Sequence, residues 1–93
     1  MALRFTWDPD KAKRNLRKHG VAFAEATTAF GDPLSITVPD PAHSKAEERF
    51  VLIGMTRFGR LIVVAHTERV NEIRIINARP AARRERAIYE EAP

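Results

Sequence analysis

The sequence predicts an α+β domain, with helices packed on a twisted, largely antiparallel sheet in the order β-α-α-β-β-β-β-α. Three observations lead there. Two helix-type segments with recognisable caps follow one short strand near the start. Four strand-type segments then fill residues 34–78, with a hairpin signal among them. One of these strands, Leu61-Ile62-Val63-Val64-Ala65, is apolar on both faces, as suits a central strand covered on both sides. The 93 residues make one domain, 1–93, with neither repeat nor linker. A chain of this length buries only about 60–65% of its unfolded surface, so the helices are expected to share one sheet face.

Each element has a local cause. Residues 3–7 alternate apolar and polar, the period of a half-buried strand. Asp8 is an N-cap type, Pro9 suits the first helical position, and Asp10 complements the positive end of the dipole. That helix runs to His19, where Gly20 fits a left-handed cap and Arg17, Lys18 and His19 complement the negative end. Only Ala12 and Leu16 give it an apolar stripe. A second helix covers residues 22–30, with Phe23, Ala26 and Phe30 on one face, and Gly31-Asp32-Pro33 stops it.

Residues 34–38 are a strand, and Pro39-Asp40-Pro41 opens a polar loop to residue 48 that holds His43 and Ser44. Strands at 49–56 and 60–67 flank Arg57-Phe58-Gly59-Arg60, a hairpin signal with glycine available for positive φ. Residues 68–71 turn into a strand over 72–78. Pro80 then opens a last helix to about residue 91, packed through Ala82, Ile88 and Tyr89.

Composition narrows the function. Sixteen Lys and Arg against twelve Asp and Glu give a net charge of +4, and the partners such a surface selects are anionic. No apolar run approaches the roughly 20 residues of a membrane span, so no membrane partner is expected. With no cysteine there are no disulfides or thiolate metal sites. His19, His43 and His66 show no metal-ligand spacing, so neither metal nor cofactor is expected. The first residues lack a signal-peptide apolar region, and a cytoplasmic location is expected.

The remaining inventory suits metal-free RNA cleavage. A 2′-hydroxyl attacks the adjacent phosphate in line, which needs a base, cations for the phosphorane charge and an acid for the leaving 5′-oxygen. His66, interrupting an apolar strand, is the sharpest single candidate, without an assigned role as base or acid; a hydrogen-bonded strand-end histidine is the competing reading. A two-residue turn at Phe58-Gly59 would set Val51 opposite His66 and put Arg49 on the face of His66. In the next hairpin, a three-residue turn sets Arg74 opposite His66, whereas two or four residues set Arg74 opposite Thr67 and send it to the other face. Arg74, between Ile73 and Ile75, needs an anionic ligand or a carboxylate from Glu68, Glu72 or Glu85. Arg79 lies where the last helix is expected to begin, a natural anion site that Arg83, Arg84 and Arg86 extend. Lys18 belongs to the basic first helix, and Arg83, Arg84 and Arg86 read equally as a solvated helix face. His19 reads first as a helix cap, and His43 has no partner in view.

An ordered set of short signatures then resembles a known family. Phe5-x-Trp7-Asp8 with Lys11 and Asn15 comes first, followed by Lys18-His19-Gly20-Val21 with Phe23, Ala26, Phe30 and Asp32. Arg49, Ile73-Arg74-Ile75-Ile76, Ala78-Arg79, Ala82, Glu85-Arg86 and Tyr89 complete it. The set is similar to the BrnT family, small ribonucleases of type II toxin–antitoxin modules. Asn77 and Pro80 depart from its pattern. The resemblance implies a RelE-like fold, RNA cleavage that lowers translation, and Arg49, Arg74 and Arg79 as candidate site residues. It also implies a BrnA-like antitoxin whose ribbon-helix-helix region supplies binding to operator DNA. Competing readings are a non-catalytic RNA- or DNA-binding module and a protein-interaction domain with an acidic partner.

Overall fold

Asp8 and Gly20 frame the first helix as their chemistry requires. In the computed structural model, which describes residues 3–92, the Asp8 carboxylate accepts from the Asp10 N–H at 2.9 Å, and Gly20 closes the helix at φ 71. Strand β1 (Arg4–Thr6) precedes α1 (Pro9–His19), and α2 (Phe23–Thr28) ends in a 3₁₀ turn, Ala29–Gly31. Strands β2 (Ile36–Pro39), β3 (Arg49–Met55), β4 (Leu61–Arg69) and β5 (Glu72–Pro80) follow, then α3 (Arg83–Glu91).

The sheet order is β1-β5-β4-β3-β2, with β4 central as its doubly apolar run demands. The sheet is mixed: β1 joins β5 in parallel, and the other pairings are antiparallel. Its two faces carry separate clusters. Leu52, Ile62, Val64, Ile75 and Ala78 meet Val21, Phe23 and Ala26 under α1 and α2. Ile53, Leu61 and Val63 meet Val51, Met55, Ala81 and Tyr89 of α3. The helices therefore do not share one face. The uninterrupted apolar run of β4 leaves two greasy surfaces, and α3 covers part of the second.

The β3–β4 hairpin corrects the expected register. Phe50, not Val51, faces His66, and Arg49 faces Thr67. The connection is a three-residue turn: the Gly59 N–H reaches Thr56 O at 2.9 Å with Gly59 at φ 81, and the Thr56 N–H reaches Arg60 O at 2.8 Å. A turn that needs a left-handed third residue selects glycine there and displaces the pairing by one. Arg49 and His66 consequently occupy opposite faces.

The β4–β5 turn is the two-residue case, Val70-Asn71, with Asn71 at φ 59, and it sets Thr67 opposite Arg74. A bulge follows: His66 pairs with Ile75 but Ala65 pairs with Asn77, leaving Ile76 as the extra residue. That residue changes the parity of β5. Arg74 and Arg79, an odd step apart, come to face the same side.

The last helix starts later than expected. β5 continues through Pro80, and the Ala81 N–H still reaches Leu61 O at 2.9 Å. Proline is tolerated because its missing N–H would point to the edge that β1 has already left. Beyond β1 that edge is served by Asn15, 6% exposed, whose side-chain amide accepts from the Ala78 N–H and donates to Ala78 O and Val21 O at 2.8–3.1 Å. Asn15→Ala strands these backbone groups, and we expect a loss on the order of 2–4 kcal/mol in denaturant unfolding.

Three carboxylates clasp the periphery. Glu25 accepts from Arg60 at 2.6 and 2.9 Å and from Thr56 at 2.9 Å, and these bonds, the Arg60 pair foremost, hold its pKa down against burial. Burial opposes the charge of Asp32, but hydrogen bonds from Tyr89 Oη (2.6 Å) and the Met55 and Leu34 N–H groups outweigh it, and its pKa is lowered. Glu85 is lowered by Arg79 first and by the Ala82 N–H. Groups depressed in the folded state contribute stability above their unfolded values, which is lost as pH falls through the folded ones. Thermal melts should therefore show stability falling below about pH 4.5, with a shallower fall in Asp32→Asn.

Candidate active site

The face that α3 covers is left open at its other end, and there the polar strand positions collect. Arg49, Thr67 and Arg74 form a row across β3, β4 and β5, by register. Beside them lie a cavity of about 580 Å³, also lined by Lys11, Lys45, Glu47 and Arg69, and a smaller one of about 190 Å³ that Asp40, Asn77 and Arg79 help to line. His43 and Arg49 line both, so the two make one cleft with these residues at the junction.

The loop after β2 supplies one wall and is tied to the start of β3. The Asp40 N–H donates to Arg49 O at 2.8 Å, and the Arg49 N–H donates to Ser44 Oγ at 2.8 Å. Pro41 starts a 3₁₀ turn, Pro41–His43, which brings His43 back over Asp40. His43 Nδ1 lies 2.9 Å from Asp40 Oδ2. A carboxylate there orients the ring with Nδ1 toward Asp40 and Nε2 on its far side, on a side chain that is mostly exposed. Sequence reasoning passed over this histidine, although Asp-Pro-x-His is the spacing of a single 3₁₀ turn.

Arg49 and Arg74 are half-buried, and among the described residues neither guanidinium has an ion pair. The carboxylates that Arg74 could have taken are engaged elsewhere. Glu68 holds His66, Glu72 holds Thr6 and Arg4, and Glu85 holds Arg79. Glu47 feels both arginines but is bound through two bonds to Arg69, the main cause of its lowered pKa. The larger cavity thus carries Lys11, Lys45, Arg49, Arg69 and Arg74 against the one carboxylate of Glu47.

The other sequence candidates fall elsewhere. His66 is fully buried on the opposite face, edge-on to Phe30 (4.9 Å) and stacked on Phe50 (6.0 Å), with Nε2 3.0 Å from Glu68 and Nδ1 3.2 Å from Val64 O. Arg79 reaches the smaller cavity, but Glu85 grips its fork at 2.6 and 2.7 Å, and that pairing raises its pKa. The anion expected at a helix start beside Arg79 is thus the chain's own Glu85, which also caps the Ala82 N–H at 2.8 Å. Lys18 lines a groove of about 390 Å³ with Lys11, Arg14 and His19, continuous with the cleft through Lys11 and Ile76. Arg83, Arg84 and Arg86 are exposed on α3 outside these cavities, Arg86 being 3.9 Å from Glu90.

Residues 7–85 match the family described as "Ribonuclease toxin, BrnT, of type II toxin-antitoxin system". The chain belongs to the BrnT family. Its fold is similar to the crystal structure of the Brucella abortus ribonuclease toxin BrnT, with a TM-score of 0.68 and 24% identity over 88% of this chain and 100% of that one. No curated protein matches the sequence. Membership of a BrnT toxin family assigns the chain to ribonuclease toxins and implies an antitoxin partner. Among the described residues no helix is long and apolar enough to cross a membrane.

Proposed function

We propose that this BrnT-family chain is a metal-independent endoribonuclease that lowers translation, with His43 as base and Arg49 and Arg74 as the cations at the phosphate. The observation that carries this reading is one cleft holding an imidazole oriented by Asp40 beside two guanidinium groups that have no carboxylate partner among the described residues. His43 Nε2 takes the proton of a ribose 2′-hydroxyl, whose oxygen bonds to phosphorus. The bond from phosphorus to the 5′-oxygen breaks, and that oxygen gains a proton from water in the open cleft. A 2′,3′-cyclic phosphate and a 5′-hydroxyl remain. Arginine forks suit the extra equatorial charge of the intermediate. Lys11, Arg14 and Lys18 extend a cationic track for the strand. Arg79 serves the site by holding the start of α3 through Glu85, and His66 serves the core.

The test is incubation of purified chain with RNA in EDTA. Cyclic or 3′-phosphate ends are expected; 3′-hydroxyl ends, or activity abolished by EDTA, would overturn the reading.

The fold is read as RelE-like, the location as cytoplasmic and the inhibitor as a BrnA-like antitoxin with a ribbon-helix-helix region. The cationic cleft supports a partner of complementary charge covering Arg49 and Arg74. Association with that antitoxin should slow as salt rises, measured by stopped flow. Operator gel shifts should need the antitoxin; specific binding by this chain alone would contradict that.

A further inference from the structure

The Thr67 hydroxyl is the unexplained group in the cleft. Thr67 is 2% exposed, and its Oγ1 is buried with no hydrogen-bond partner among the described residues. Leaving a buried hydroxyl unpaired is unfavourable, and such groups are ordinarily satisfied. This one sits between two arginines that have no ion pair among the described residues, because Arg49 and Arg74 are its cross-strand neighbours. Two strand spacings separate their backbones, roughly 9–10 Å. Among the described residues that line the larger cavity, Thr67 is the only one with a hydroxyl. A donor between cations describes an anion position. His43 and Arg49 stand at the junction of the two cavities, whereas Thr67 and Arg74, with Lys11 from α1, belong to the larger one alone.

We propose that Thr67, with Lys11 at the rim, forms a second phosphate subsite, which holds the phosphate next to the scissile one in an oligoribonucleotide, and that the Arg74 fork bridges the two phosphates. This inference rests on the ribonuclease reading for the scissile position. The Thr67 O–H donates to one oxygen of that phosphate, Arg74 links it to the scissile phosphate that it also serves, and Lys11 adds charge at the rim. The substrate is then a strand with at least one phosphate beyond the cut, and a dinucleoside monophosphate is a poor one. Thr67 is a positioning residue.

The experiment uses DNA oligonucleotides with a single ribonucleotide, so that one bond is cleavable. In two versions, a neutral methylphosphonate replaces the phosphate on the 5′ or the 3′ side of that bond. Wild type is expected to lose roughly 10-fold or more in kcat/KM, mainly through KM, when one of these phosphates is neutralised. Thr67→Val is expected to lose far less from the same change, while Thr67→Ser keeps the full penalty. Valine matches the shape of threonine, so Thr67→Val should melt no lower than wild type. Equal penalties in wild type and Thr67→Val, or none in wild type, would overturn the subsite. Titration of the all-deoxy strand by fluorescence anisotropy reads binding without cleavage. Weaker binding by Thr67→Val that vanishes on methylphosphonate substitution supports the subsite even if RNA is not cut, in which case the ribonuclease reading alone fails.

Discussion

Replacing His43 with alanine is expected to lower RNA cleavage by roughly 100- to 10,000-fold, the range of a lost general base, without unfolding the protein. The side chain is 67% exposed and, among the described residues, bonds only to Asp40, so its removal costs the fold little. Asp40→Asn keeps a partner for the ring but removes the charge that fixes the proton on Nδ1, and an intermediate loss is expected. His66→Phe retains a ring between Phe30 and Phe50 and should leave cleavage near the wild-type rate. Single-turnover cleavage in EDTA, read beside circular dichroism, separates these variants. A fully active His43→Ala protein would remove the base from the proposed site, and an inactive but folded His66→Phe would return attention to the buried histidine.

The contrast between the two histidines shows what sequence could carry. Caps are local chemistry, so Asp8, Pro9 and Gly20 placed α1 correctly, and the apolar run of β4 placed it centrally. Facing relations depend on counts that single residues decide. One extra turn residue before Gly59 separated Arg49 from His66, and the bulge at Ile76 set Arg79 on the side of Arg74. Neither leaves a composition signal. His66 drew attention by interrupting an apolar strand, yet that setting is what buries it. His43 lay in a polar loop with no periodicity, and its partner became visible only once Pro41 had curled the chain over Asp40. Arg49 and Arg74 were legible as arginines at strand positions. That their possible carboxylates were all committed to other groups was not legible, because it depends on contacts the sequence does not display.

That commitment makes the arginine substitutions the sharpest comparison. Arg74→Ala is expected to reduce cleavage by roughly 100- to 1,000-fold, the usual effect of removing one charge-stabilising contact at a reacting centre. No carboxylate is left unpaired by it, so the melting temperature should hold or rise as repulsion with Arg49 is relieved. Arg49→Ala should behave alike. Arg79→Ala differs in kind: Glu85 loses both bonds of its arginine partner, and α3, which buries no residue fully, loses one of its two clasps. Its expected signature is a lower melting temperature with local loosening of α3 in hydrogen exchange, and a loss of activity that tracks the loosening. Arg74→Lys keeps a charge but not the fork, and partial activity is expected. Growth inhibition on expression gives the cellular counterpart, with Arg74→Ala relieving toxicity as a folded protein. If Arg74→Ala is instead unfolded, the arginine is a structural member of the sheet, and if it is folded and fully toxic, the phosphate lies elsewhere.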